Sequence, residues 1–328
     1  MESAAKILAT SPALRRRVKD VATLTAYQEK FVDAAEHIRL DPDGAEVTFM
    51  ARELVQCTLP HKDPGNVPIW RRQNGSITLA IQQRYDSRTG QPIGYPYGSL
   101  PRLLLFWITA EAVRTKNRRL ELGHSLSAFM RQLGLIPASA GGGKRSDARR
   151  LEKQAKRLFR SIISFDDESA ERGAKWLDME VAPAGNLWWD WKPNDNPDQG
   201  TLWPGWIELG EKFYMAITAW PVPLDMRVLR AIKRSPLALD LYAWATWRVF
   251  KLVKPTFIPW EGLKEQIGSE YKTIDEFARN AKGAFAKIRA VYPGLKLDYS
   301  KGGFTLRPSI TAIPPLPKRT AFIDEESA

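Results

Sequence analysis

Apolar residues recur along the chain at two spacings, every three to four positions in some stretches and every second position in others, and the alternation between them sets the elements. Residues 11 to 40 open with Ser11-Pro12, a cap followed by Pro in a first turn, and run without a breaker to Asp41-Pro42-Asp43-Gly44, which predicts one helix and then a turn. Pro68-Ile69-Trp70 and Ile77 to Ile81 flank Gln73-Asn74-Gly75, so a β-hairpin is predicted around Asn-Gly. The Pro- and Gly-rich stretch from Gly90 to Gly98 reads as a loop and a domain boundary. A helix over about 99 to 116 follows, then a strand at 119 to 122 and a helix from Leu126 to Leu133. After a glycine-rich turn come a basic helix from Ser146 to Ile162 and strands at Lys175 to Val181, Leu187 to Trp191 and Leu202 to Leu209. A second series holds helices at Pro223 to Ile232, Ser235 to Val253, Trp260 to Ile267 and Thr273 to Val291. It ends in strands at Leu295 to Tyr299 and Phe304 to Arg307 around Lys301-Gly302-Gly303. The Pro-rich, polar stretch after Pro308 reads as an unstructured tail.

Helix, strand, helix, helix, strands is the winged-helix order, and it occurs twice. The two series superpose with shrinking offsets. Leu104, Trp107 and Thr109 fall on Leu241, Trp244 and Thr246, and Phe129 to Gly134 fall on Leu263 to Gly268. In the third helices Leu151, Lys153, Gln154, Ala155, Lys156, Phe159 and Ile162 fall on Phe277, Arg279, Asn280, Ala281, Lys282, Phe285 and Ile288. The longer loop of the first copy, Pro137 to Arg145, accounts for the shrinkage. The predicted fold is α+β, two tandem winged-helix domains related by internal duplication with an N-terminal helix and hairpin. Its divisions are residues 1–90 (extension), 91–215 (first domain), 216–310 (second domain) and 311–328 (disordered tail).

Charge narrows the function. Lys and Arg outnumber Asp and Glu by 49 to 37 in 328 residues, a net charge of +12, which calls for a polyanionic partner. A membrane-spanning role is not predicted, because the longest apolar run, Leu103 to Ile108, is far below the roughly 18 residues a span needs. Met1 to Leu14 lacks the pattern of an export signal, so a cytoplasmic protein is expected. The single cysteine, Cys57, sits between Val55 and Leu59 and reads as a small core side chain.

The third helix of each copy carries the chemistry. In the second, Phe277, Ala281, Phe285, Ile288 and Val291 form the packing side, and Arg279, Lys282, Ala286 and Arg289 lie on another. Such a helix, preceded by the turn from Gly268 to Lys272, is the one set in the major groove, and Thr273 at its start is a candidate DNA contact. Arg279 and Asn280 suit base edges, while Lys272, Lys282, Lys287, Arg289 and the wing residue Lys301 suit the phosphate backbone. In the first copy Arg149, Lys153, Lys156 and Arg160 form a basic stripe with Arg150 and Arg157 beside it and Lys144-Arg145 just before, a pattern for salt-sensitive backbone contact.

No enzyme signature is found. Gly141-Gly142-Gly143-Lys144 resembles a phosphate loop, but position 138 is Ala and Arg145 follows the lysine where Ser or Thr is needed. His37, His61 and His124 are widely separated and share no metal-motif spacing, and each is expected to be structural or exposed; Asp166-Asp167-Glu168 reads as a solvated acidic turn. No catalytic residue, metal or cofactor is assigned.

The stretch Tyr95 to Leu105, then Thr109 to Thr115, then Leu122 to Leu126 with Phe129-Met130, and Ser235 to Tyr242 in the second series, resembles the plasmid-encoded RepA-type replication initiators. With the hairpin at Trp70 to Ile81 as lead-in, the resemblance runs over about residues 66 to 310. It implies tandem winged helices that bind repeated origin sequences, aid duplex opening and bring in host replication proteins such as a helicase and the host initiator. It also implies dimerisation through the first domain and most origin recognition through the second. Two other readings stay open on the residues alone: a winged-helix transcriptional repressor, and a non-catalytic module whose basic stripe binds an acidic protein. A nuclease or primase would need metal-dependent turnover.

Overall fold

The structure is a computed structural model and describes residues 24–137, 146–168, 175–187, 205–268 and 270–313. In chain order its elements are α1 (Ala26–Leu40), β1 (Val47–Ala51), α2 (Arg52–Gln56), β2 (Trp70–Asn74), β3 (Ile77–Gln82), α3 (Ser99–Thr115), β4 (Arg119–Gly123), α4 (Leu126–Gln132), α5 (Asp147–Phe159), β5 (Ile162–Asp167) and β6 (Lys175–Glu180). There follow β7 (Ala184–Asn186), β8 (Gly205–Glu208), α6 (Glu211–Ala219), β9 (Pro221–Asp225), α7 (Met226–Ile232), α8 (Pro236–Lys251), β10 (Thr256–Pro259), α9 (Trp260–Ile267), α10 (Ile274–Val291), β11 (Leu297–Ser300) and β12 (Gly303–Leu306). The arrangement is mixed helix and sheet, α+β.

Helices α3 and α8 form the centre. Every residue from Leu100 to Thr109 and from Leu237 to Thr246 is buried, which is why these two stretches are apolar nearly all round rather than striped. Each has a defined start. Gly98, at φ +80°, precedes α3, and the Ser235 hydroxyl accepts from Ala238 N before α8, with Pro236 in the first turn.

Among the described residues, four small antiparallel sheets surround this pair. β10, β12 and β11 are hydrogen-bonded in that order, and β4, β8 and β7 in that order. The β2–β3 hairpin joins β5 and β6 in a four-stranded sheet, and β1 pairs with β9. The residues before 90 are therefore woven into both halves of the chain: β3 lies along β5 and β1 along β9.

One side-chain hydrogen bond is made twice. Trp107 Nε1 of α3 donates to Gln132 Oε1 of α4 at 3.1 Å, and Trp244 Nε1 of α8 donates to Gln266 Oε1 of α9 at 3.1 Å. The tryptophans correspond in the sequence superposition, and so do the glutamines.

Several expectations need correction. Pro223 to Asp225 is strand, not helix: Val222 and Leu224 turn inward at period two, and the Asp225 side chain accepts from Arg227 N to start α7. The basic helix stops at Phe159, and Ile162 opens β5. The hairpin turn is Gly75-Ser76, because Asn74 still pairs with Ile77 and the positive φ of +60° falls on Gly75. The strands after α5 do not all build one wing, since β5 and β6 leave to join the β2–β3 hairpin. Elements β1, α2, β5, β10 and α6 have no counterpart in the sequence pattern; β10 alternates only weakly and ends in Pro259, and α6 buries just Phe213 and Ile217. Asp166 and Asp167, read as part of a solvated acidic turn, instead end strand β5, paired on both sides with β3 and β6, and Asp167 accepts from the Ser76 hydroxyl at 3.0 Å. The helix expected unbroken over residues 11 to 40 has a start at Thr25, whose extended backbone and hydroxyl, accepting from Gln28 N, cap α1. Residues 11–23, the glycine-rich turn, most of Leu187 to Trp191 and the end of the tail lie outside the described residues.

Candidate nucleic-acid interface

Helix α10 is anchored from one side. Phe277, Ala281, Phe285, Ile288 and Val291 are all buried, and Phe285 meets Phe304 of β12 at 5.1 Å. At its start the Thr273 hydroxyl accepts from Glu276 N at 3.1 Å, and Lys272 N donates to Glu276 Oε2 at 3.2 Å. Thr273 is thus the cap that fixes where the helix begins. The face away from the core presents Arg279, Asn280, Lys282 and Arg289, all exposed. Asn280 Nδ2 donates to Glu276 O at 2.8 Å, which ties the amide to the preceding turn of the helix. Lys287 is half-buried. Lys301 is exposed in the tight turn between β11 and β12, where Gly302 takes φ +78°.

The turn that leads into α10 is held by Arg72, which the sequence did not single out, and by His61, which takes a structural place there. Arg72 of β2 donates to Thr58 Oγ1 at 2.9 Å, to Glu270 Oε1 at 3.1 Å and to the carbonyl of Ile267. His61 N donates to the same Glu270 oxygen at 2.9 Å, and its Nε2 lies 2.8 Å from Asp240 Oδ2. Burial lowers the pKa of His61, opposed by its bond to Asp240. The sequence signal was faint: an Arg in a strand and a His after Pro, with no periodicity to link them.

On α5 the stripe Arg149, Lys153, Lys156 and Arg160 is exposed, and Leu151, Ala155, Leu158 and Phe159 are buried beneath it. Arg150 is exposed and 3.1 Å from Asp147; Lys156 lies 3.8 Å from Asp86. Arg157 corrects the expectation of a surface cation. It is 8% exposed, donates to Ile93 O and Tyr95 O, pairs with Asp63 at 3.1 Å and covers the Tyr97 ring at 5.2 Å. Its position on the helix turns it toward the 93–97 loop, where the free carbonyls need donors. Lys144 and Arg145 lie outside the described residues.

Cys57 is fully buried, and burial pushes its thiol up to about 11, as a core side chain requires. His37 and His124 are exposed. Among the described residues no group of three His, Cys, Asp or Glu could hold a metal ion, and no helix is long and apolar enough to cross a membrane.

Comparison with known proteins gives a family and distant structural likenesses. No curated protein matches the chain. Crystal structures of domains 2 and 3 of RctB align with it, one at TM-score 0.47 and 11% identity over 78% of this chain and 95% of that one, the other at 0.47 and 10% over 77% and 94%. The model of the plasmid-encoded RepA protein family matches residues 95–259, from the loop held by Arg157 through both central helices to the end of β10. Half of the sequence lies within that match, and the chain belongs to the family of plasmid-encoded RepA proteins.

Proposed function

We propose that this protein is a plasmid replication initiator that binds repeated sequences at its origin through two winged-helix units derived by duplication. The observation that carries the reading is the exposed face of α10, where Arg279, Asn280, Lys282 and Arg289 project from a helix packed on a three-stranded sheet whose turn carries Lys301. Arg and Asn can each form paired hydrogen bonds to a base edge in the major groove, whereas the lysines neutralise phosphates. The duplication is supported by the repeated Trp–Gln bond and by the shared strand orders β10-β12-β11 and β4-β8-β7.

In this reading residues 216–310 supply base recognition. Residues 91–215 add backbone contact through Arg149, Arg150, Lys153 and Lys156 of α5 and Arg160 at its C-cap and take part in dimerisation, and residues before 90 brace both. Arg157 is left out of the interface because it is buried. Family membership favours origin opening and recruitment of a host helicase and initiator in the cytoplasm. No catalytic group, metal or cofactor enters the mechanism.

The test is fluorescence-anisotropy binding of the whole protein to its own replicon's repeats and to a scrambled duplex across a salt series. A preference of about 1,000-fold or more for the repeats is expected, together with its loss in a folded Arg279→Ala/Lys282→Ala variant. Unchanged binding by that variant would sink the assignment of α10. Equal binding to both duplexes would leave a nonspecific DNA binder, and binding to neither would point to an acidic protein partner.

A further inference from the structure

Lys282 does not hang free from α10. Its ammonium lies 5.5 Å from the centre of the Tyr299 ring and 5.9 Å from that of Trp260, and the two rings are stacked at 6.2 Å with 28° between their planes. Trp260 is a rigid platform: it is 4% exposed, 4.9 Å from Phe304 and 6.3 Å from Phe277 of α10, and its backbone N donates to Gly302 O in the wing turn. Tyr299 is 41% exposed and stands on β11, two residues before Lys301. The lysine thus bridges two elements, with its stem on the helix and its charge on aromatic faces at the root of the wing.

We propose that Tyr299 is a positioning residue for DNA binding, holding the Lys282 ammonium with Trp260 at the junction of α10 and the wing, where it meets a backbone phosphate. The inference rests on the reading of α10 as the DNA-facing helix. A lysine side chain has many rotamers, and much of that freedom is lost when it must grip a phosphate. Aromatic faces attract the ammonium and restrict it beforehand, while its outward N–H groups stay open to an anion. Along the same exposed face Arg279 lies one turn before Lys282 and Arg289 two turns after it, so a cation fixed here extends a continuous line toward Lys301.

The experiment uses the full chain in four variants: Tyr299→Ala, Tyr299→Phe, Lys282→Ala and the double Tyr299→Ala/Lys282→Ala. Each is titrated with the replicon's repeats and with a scrambled duplex of equal length from about 50 to 200 mM salt. Tyr299→Ala should weaken binding to both duplexes about two- to fivefold and flatten the plot of log affinity against log salt by up to about 0.9, the contribution of one phosphate. The double variant should be no worse than Lys282→Ala, and Tyr299→Phe should restore wild-type affinity and slope. Circular dichroism confirms that each variant is folded. A folded Tyr299→Ala with wild-type affinity and slope overturns the proposal, as do losses that multiply in the double variant or a Tyr299→Phe that behaves like the alanine. If the wild type itself binds neither duplex in a salt-dependent way, the DNA-binding reading fails first, and this inference with it.

Discussion

Arg102 and Asp240 form a two-pronged ion pair in the centre of the molecule, Nε to Oδ1 at 2.6 Å and Nη2 to Oδ2 at 2.7 Å, joining α3 to α8. The remaining donors of Arg102 reach Leu59 O, Pro60 O and Gly98 O, so the guanidinium, only 1% exposed, is fully satisfied. Burial would raise the Asp240 carboxyl, but the charge of Arg102 and the bond from His61 outweigh it and hold the group down at about 2. Asp240→Asn leaves a buried cation without its counter-charge, so unfolding in urea should show a loss of about 3–5 kcal/mol. A loss below about 1 kcal/mol would mean that the pair is not the clamp between the halves. The depressed value also sets an acid limb: stability from this carboxylate is complete above its unfolded value near 3.8 and disappears as pH falls toward 2.

His61 predicts a second, milder limb. It is buried against Asp240 and Glu270, and its pKa lies below the unfolded value of 6.5. A lowered histidine favours the folded state while neutral, so its contribution is complete above about 6.5 and declines as pH drops below that. The urea midpoint should therefore fall between about pH 7 and pH 5 in the wild type and stay flatter over that range in His61→Gln. Parallel curves would show that another group drives the decline.

The twin Trp–Gln bonds allow a direct comparison of the halves. Both indoles are nearly buried, and each glutamine is the partner of an N–H that would otherwise face apolar neighbours. Gln132→Leu and Gln266→Leu should each cost about 1–3 kcal/mol. Because the two bonds join separate helix pairs, the double variant should lose about the sum. Denaturant unfolding of the three variants checks this; a large loss in one half and none in the other would mean that the bond has kept its structural importance in only one half.

How much of this was legible in the sequence follows from what each feature depends on. The faces of α10 and α5 were readable because 3.6-residue periodicity acts locally, and the buried and exposed sets came out where Phe277, Phe285, Leu151 and Leu158 placed them. The partners of the β2–β3 hairpin were not, since pairing of Ile81 with Ile163 depends on residues far along the chain. Strand β9 escapes a local reading for the same reason: Pro223 to Asp225 needs β1 beside it to be a strand. The clamp of Arg102, Asp240, His61, Glu270 and Arg72 carried no pattern at all, because its members are single polar residues drawn from five separate segments. Arg157 shows the limit of charge counting, as one basic residue among several on α5 is the one turned inward.

That distinction within α5 gives the sharpest separation of structural from binding roles. Arg157 holds the 93–97 loop, and Gly94, at φ +92°, leaves space that a β-carbon would take 2.8 Å from the guanidinium. Arg157→Gln and Gly94→Ala should each lower the melting temperature by several degrees, the second through both the positive φ and the crowding of Arg157. At temperatures where they remain folded, both should keep the wild-type dependence of DNA affinity on salt. Arg149→Ala/Lys153→Ala/Arg160→Ala should do the reverse. These three side chains are exposed, so the melting temperature should hardly move, while the salt slope should fall by about 0.9 for each phosphate left without its cation. Calorimetry and anisotropy on the same preparations separate the two classes. A triple variant that melts early with an unchanged slope would place α5 in the scaffold, leaving α10 and the wing as the DNA-facing surface.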